Sequence, residues 1–112
     1  MDMFSLETNM SGDVAIVTAS GRFDSETSPS LDAELTKAAS EKNKIVLELK
    51  GVDYLSSAGI RAIVKAAQAV EQRGGSVKMA SAPELVTSIF YTVGIVDKIK
   101  SYSTVDEAIA SF

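Results

Sequence analysis

The sequence contains no cysteine, no histidine and no tryptophan. Without cysteine there is no disulfide framework and no thiolate nucleophile. Without histidine, the commonest zinc ligand and the commonest general base are both missing. Ser-His-Asp and Cys-His catalysis are therefore excluded. Two prolines and seven glycines in 112 residues are too few for a collagen-like or Pro/Gly-rich chain. Basic residues are also in short supply: 11 Lys and Arg against 15 Asp and Glu leave a net charge of −4. That balance is a poor footprint for a protein that binds nucleic acid by neutralising phosphates, so nucleic acid is not an expected partner. Lys42, Lys44 and Lys50 lie close in sequence, but Glu41 and Glu48 dilute them into a solvated face. No apolar run approaches the ~18–20 residues that a membrane-spanning helix needs, so membrane insertion is not expected. Met1 to Glu7 carries no basic segment followed by an apolar one, so no secretory leader is expected and a cytoplasmic location is.

What is present fits an ordinary globular domain. Apolar residues make up 46% and charged residues 23%, and the length predicts one domain over residues 1–112. Phe4 to Thr8 alternates apolar and polar side chains. A turn-like Asn9-Met10-Ser11-Gly12-Asp13 follows, then the β-branched run Val14 to Ala19. This pattern predicts an antiparallel hairpin whose second strand, apolar on both faces, lies centrally in a sheet. Ser28 as N-cap and Pro29 in the first turn predict a helix with Leu31, Leu35 and Ala38 inward, ending near Ser40. Lys44 to Leu49 reads as a strand and Gly51 to Leu55 as a loop. After Ser56-Ser57 comes the most amphipathic helix, with Ile60, Ile63, Val64, Ala67 and Val70 in one stripe. Gly74-Gly75 ends it, with Arg73 placed against its C-terminal dipole. Ser76 to Ala80 predicts another strand. Pro83 opens a short helix with Leu85, Ile89 and Phe90 inward, closed by Gly94. A short strand near Asp97–Tyr102 and a final helix capped by Ser103, carrying Val105, Ala108, Ile109 and Phe112, complete the chain. The order β-β-α-β-α-β-α-β-α predicts an α/β fold with a mixed sheet covered by four helices.

Function in such sheets gathers outside the carboxyl ends of the strands. Two segments fall there, Gly21–Thr27 and Gly51–Gly59. Ser56 and Ser57 have two readings. A serine before a helix caps it. A hydroxyl at a helix N-terminus also sits where unpaired N–H groups and the dipole favour an anion, which suits a phosphorylation site. Asp24 likewise reads either as local turn chemistry or as part of a phosphate site. Asp53 is best read as a turn residue, because the carboxylate pair that a phosphoryl-accepting Asp needs beside it is missing after the first strands. Gly12 and Gly21 lack the spacing of a nucleotide cradle. A Ser-Lys hydrolase would use Lys65, but that residue lies more than two helical turns from Ser57, ~12 Å or more by helical rise. No catalytic residue, metal ligand or cofactor is expected.

Tyr54-Leu55-Ser56-Ser57-Ala58-Gly59-Ile60-Arg61, together with Gly21-Arg22-Phe23-Asp24 and Thr27-Ser28-Pro29-Ser30-Leu31, resembles the STAS domain. More narrowly, it resembles the stand-alone bacterial anti-sigma-factor antagonists. The resemblance implies a regulatory, non-enzymatic protein that works by partner switching. Unphosphorylated, such a protein binds an anti-sigma factor that is also a serine kinase and so frees a sigma factor. Phosphorylation blocks binding, and a serine phosphatase reverses it. The resemblance implies Ser56 as phosphoacceptor, with Ser57 the alternative. It implies a switch surface of Asp24, Ser25, Asp53, Tyr54, Leu55, Ser57, Ala58, Gly59 and Arg61, on a monomer or weak dimer. The other role it allows is an accessory subunit of an ABC-type lipid transporter.

Overall fold

The computed structural model describes residues 4–92, 94 and 99–112. Among these residues, five strands form one sheet in the order of the chain. β1 (Phe4–Ser11) and β2 (Val14–Phe23) form the expected antiparallel hairpin. β3 (Lys44–Leu55), β4 (Ser76–Ala80) and β5 (Ser101–Tyr102) then add in parallel. The connecting helices are α1 (Ser28–Glu41), α2 (Ser57–Glu71) and α3 (Glu84–Thr92). α4 (Val105–Ala110) closes the chain. β2 is an internal strand, but the middle of the sheet is β3.

Crossovers of one hand in a sheet that grows in one direction must all pass over the same face. Accordingly, Leu31 and Leu35 of α1, Ile63 and Val70 of α2 and Val86 and Phe90 of α3 share one buried cluster with Ala15, Val17, Ile45 and Leu47 of the sheet. Among the described residues, the opposite face is covered by α4, where Ala108 packs on Val14, Val46 and Ala80.

β2 and β3 both run further than expected, and the loop predicted for Gly51–Leu55 is strand. The reason is a change of period. From Ile45 to Leu49 every second residue faces the main cluster; after that the inward residues are Val52 and Leu55, three apart. Each step of three coincides with a register shift against β2, between Thr18 and Ser20 and again between Gly21 and Arg22. Those shifts are β-bulges, which insert an extra residue and restore the inward phase. Asp53 is thus an exposed bulge residue, not a turn residue. Gly51 is needed at the first bulge, where a Cβ would stand 2.7 Å from Ser20 Cβ.

Several helix ends also differ from expectation. The N-cap of α1 is Thr27, not Ser28. Asp24 Oδ1 accepts the N–H groups of Glu26 and Thr27 (2.9 and 3.0 Å), and Ser28 N–H already donates to Asp24 O (2.9 Å). The helical turn therefore begins early and carries Ser28 inside, to 2% exposure. α4 is capped by Thr104, whose Oγ1 accepts from Glu107 N–H, not by Ser103. Arg73 does not serve its own helix: its guanidinium donates to the carbonyls of Ala39 and Lys42 at the C-terminal end of α1. In α3 the inward residues are Val86 and Phe90; Leu85 is exposed and Ile89 only half-buried. Of the strand expected near Asp97–Tyr102, Asp97 and Lys98 lie outside the described residues, and β5 occupies Ser101–Tyr102.

Candidate functional site

The carboxyl ends of β2 and β3 deliver their chains directly into the N-termini of α1 and α2. Ser56 N–H donates to Phe23 O (2.8 Å), so the strand ladder continues to the residue before α2. Ser56 is in extended conformation and is the N-cap: its Oγ accepts from Gly59 N–H at 3.3 Å. The same oxygen lies 3.3 Å from Ser28 Oγ, and the Ser56 side chain is half-buried. Ser57, one residue on, is exposed. The two hydroxyls that look equivalent in sequence thus differ, one held between α1 and α2 and the other facing solvent.

Gly59 explains part of the local motif. A Cβ there would come within 2.5 Å of Leu55 Cδ1 and 3.3 Å of Ser28 Oγ. A side chain here would have to displace Leu55 for the first turn of α2 to settle on the end of β3 and the start of α1. Leu55 is accordingly buried, an anchor and not a contact surface.

On the solvent side, the parallel register places Arg22 opposite Tyr54. The Arg22 guanidinium stacks 4.1 Å from the centre of the Tyr54 ring, and its Nε lies 3.5 Å from Asp24 Oδ2. Tyr54, 38% exposed, therefore forms an aromatic platform stacked against a cation. The Asp24 carboxyl is held below the usual carboxylate range, first by the Thr27 and Glu26 N–H groups and less by the Arg22 charge. Both readings of Asp24 are compatible with this geometry, since the turn it builds is also the edge of the platform. Ser25 is exposed beside it.

An open groove of about 620 Å³ runs from this site between α1 and α2. Pro29, Ala58, Ile60 and Val64 supply its apolar lining, with Arg61 and Lys65 at the rim. Ile60 and Val64, expected in the core stripe, are only half-buried because they line this groove; Ala62 and Ala66 take the inward positions. Lys65 Nζ pairs with Asp32 (3.2 Å) across the two helices, so it is engaged away from the serines. Arg61 is exposed.

The structure therefore brings Asp24, Tyr54, Ser56, Ala58 and Gly59 to one end of the sheet, with Ser25, Asp53, Ser57 and Arg61 exposed around them. Sequence reasoning missed two members. Arg22 joins the site only through the β2–β3 register, and Ser28, expected as a cap, places its hydroxyl against Ser56 instead. Chemically the site offers hydroxyls at helix N-termini and an aromatic-cation platform. It can receive a group or a partner's side chains, and among its residues there is no imidazole or thiolate to activate a substrate.

The family model described as the STAS domain matches residues 5–108. Among solved structures, an anti-sigma factor antagonist from Mycobacterium paratuberculosis is similar at a TM-score of 0.85 and 18% identity, covering 96% of this chain and 92% of that one. An anti-sigma-factor antagonist (STAS) domain protein from Planctomyces limnophilus matches at 0.83 and 18%, covering 95% of each chain. The Bacillus cell-fate determinant SpoIIAA in its phosphorylated form matches at 0.76 and 14%, covering 96% of this chain and 98% of that one. At these identities the likeness establishes the fold.

Proposed function

The chain belongs to the STAS domain family, and on that premise we propose that it is an anti-sigma-factor antagonist: a regulatory binding module, not an enzyme, switched by serine phosphorylation. The observation that carries the reading is a solvent-facing hydroxyl at the start of α2, beside an exposed aromatic-cation platform at the same end of the sheet. Its structural relatives include anti-sigma factor antagonists and a phosphorylated SpoIIAA. Unmodified, the protein docks on an anti-sigma factor with serine-kinase activity through Asp24, Tyr54, Ser57, Arg61 and the groove between α1 and α2. The sigma factor held by that partner is then released.

Between the two serines, exposure favours Ser57 as acceptor. Ser56 Oγ is occupied by Gly59 N–H and Ser28 Oγ, whereas Ser57 is open to a kinase. A phosphate there adds about −1.5 to −2 charge. Next to a helix N-terminus that charge is favourable by roughly 0.3–1 kcal/mol, so the fold stays in place. What changes is the surface offered to the partner: a neutral hydroxyl becomes a dianion at the centre of the contact.

The test is to incubate the protein with the kinase-like anti-sigma factor of its source organism and ATP, then map the phosphate by mass spectrometry. Label is expected at Ser57, lost in Ser57→Ala and retained in Ser56→Ala. Label confined to Ser56 would return the acceptor role to the cap residue, and label at neither serine would overturn the switch. Ser57→Glu is expected to weaken partner binding at least tenfold; unchanged binding would refute the electrostatic mechanism. Co-purification with an ABC-type ATPase subunit, and no anti-sigma factor, would support the transporter role instead.

A further inference from the structure

The two edges of the sheet are protected very differently. β5 is an edge of only two residues, a length that offers little to a passing strand. β1 is an edge of eight residues with one neighbour, β2, and its ladder to β2 runs without a register shift from Phe4 to Ser11. It contains no proline, no lysine and a single charge, Glu7. Among the described residues, the proline, lysine and bulge that usually blunt an edge are missing from it, and Glu7 is its one charge. At its far end Met10 stands 46% exposed, beside Ala38 and Glu41 at the end of α1.

The sequence of this edge is chemically palindromic about Thr8. Ser5 corresponds to Ser11, Leu6 to Met10 and Glu7 to Asn9. An isologous contact demands that symmetry, because residue i of one copy must face residue j while j faces i. We propose that β1 is a homodimer interface, pairing antiparallel with β1 of a second copy about a two-fold axis through Thr8. In that register Leu6 meets the partner's Met10 twice, on the side of the sheet that α1 covers. Glu7 meets the partner's Asn9, whose carboxamide can donate to it. Centring on Glu7 instead would stack two carboxylates, and centring on Asn9 would leave Leu6 opposite Gly12; centring on Thr8 matches the pairs from Ser5 to Ser11 and leaves only Phe4, at the end of the strand, opposite Gly12. The product is a continuous ten-stranded sheet with α1, α2 and α3 of both copies on one face and both copies of α4 on the other. The Ser56–Ser57 ends lie outside the seam and remain free. This inference goes beyond the functional reading and stands without it.

Because the chain has no cysteine, single cysteines report the contact without background. Directly opposed residues in an antiparallel pair have Cα atoms ~4.5–5.5 Å apart, within disulfide reach. A mixture of Glu7→Cys and Asn9→Cys chains, both at exposed positions, is expected to oxidise to the mixed dimer at least fivefold faster than Asn9→Cys alone. Sedimentation velocity of the unmodified protein is expected to show a concentration-dependent monomer–dimer equilibrium. Met10→Asp, at a solvent-exposed position, is expected to weaken it at least tenfold while leaving the far-UV dichroism unchanged. Equal cross-linking in the mixture and in the single variant would overturn the register. A monomer at all concentrations up to ~500 μM, with no cross-linking above that of an Asp106→Cys control, would overturn the interface.

Discussion

Ser56→Ala should destabilise the protein by more than a lost helix cap, and a second substitution should partly restore it. Removing the cap hydroxyl that serves Gly59 N–H costs about 1 kcal/mol. The same oxygen is also the recorded partner of Ser28 Oγ, and Ser28 is 2% exposed. Without Ser56 Oγ the Ser28 hydroxyl is stranded in a dry place, which costs a further ~1–3 kcal/mol. The single variant should therefore lose roughly 2–4 kcal/mol. Ser28→Ala alone removes one long hydrogen bond and strands nothing, because Ser56 keeps Gly59 and reaches solvent; about 0.5–1 kcal/mol is expected. In Ser28→Ala/Ser56→Ala only the cap is missing, and the loss returns to about 1–1.5 kcal/mol. Urea titration followed by far-UV circular dichroism reads these differences. With a slope of ~1–3 kcal/mol/M, the double variant should unfold about 0.5 M later than Ser56→Ala. A double variant as unstable as the sum of the two singles would refute the coupling, and with it the view that Ser56 is fixed between the two helices.

Gly59→Ala should cost about 1 kcal/mol net: its new methyl sits 2.5 Å from Leu55 Cδ1, and overpacking of ~1–3 kcal/mol exceeds the gain in helix propensity; a gain in denaturation midpoint would contradict this. Arg73→Ala should lower stability by about 1 kcal/mol by freeing the Ala39 and Lys42 carbonyls, seen as a lower melting temperature with unchanged dichroism. Asp24 has a folded-state pKa held below its unfolded value, so its contribution is present above the unfolded carboxylate value of ~3.9 and is lost as pH falls through the lower folded value. Asp24→Asn should therefore lose less stability than the parent chain as pH drops below about 4, and superimposable acid limbs would count against it.

The parts of the fold that could be read in the sequence are those whose pattern is local and of constant period. The hairpin, the stripe through Ile63, Ala67 and Val70, and the β4 run from Ser76 to Ala80 are of this kind. The end of β3 is not, because its inward spacing changes from two to three at bulges that are defined only against β2. Helix starts were misplaced by one residue where several capping residues occur in a row, as in Ser25-Glu26-Thr27-Ser28 and Ser103-Thr104. There the choice is made by long-range packing: Ser28 is pulled inward by Ser56 and Gly59. The candidate site was legible in outline through the motif at Tyr54–Arg61. Its internal division of labour was not. Which serine is held, that Arg22 stacks on Tyr54, and that Ile60 and Val64 line a groove all depend on residues brought together from distant positions.

The doubled bulge in β3 has a consequence for how freely this surface can vary. A regular strand alternates, so half its residues are committed to the interior. From Lys50 to Leu55 only Val52 and Leu55 face the main cluster, while Lys50, Gly51, Asp53 and Tyr54 are exposed. Of these, Gly51 is tied down by Ser20 and Tyr54 by the Arg22 guanidinium. Lys50 and Asp53 can thus drift independently of the core, next to a serine pair that stays fixed. Duplicated copies of such a domain in one cell can diverge in partner choice at those positions while the scaffold beneath them remains the same.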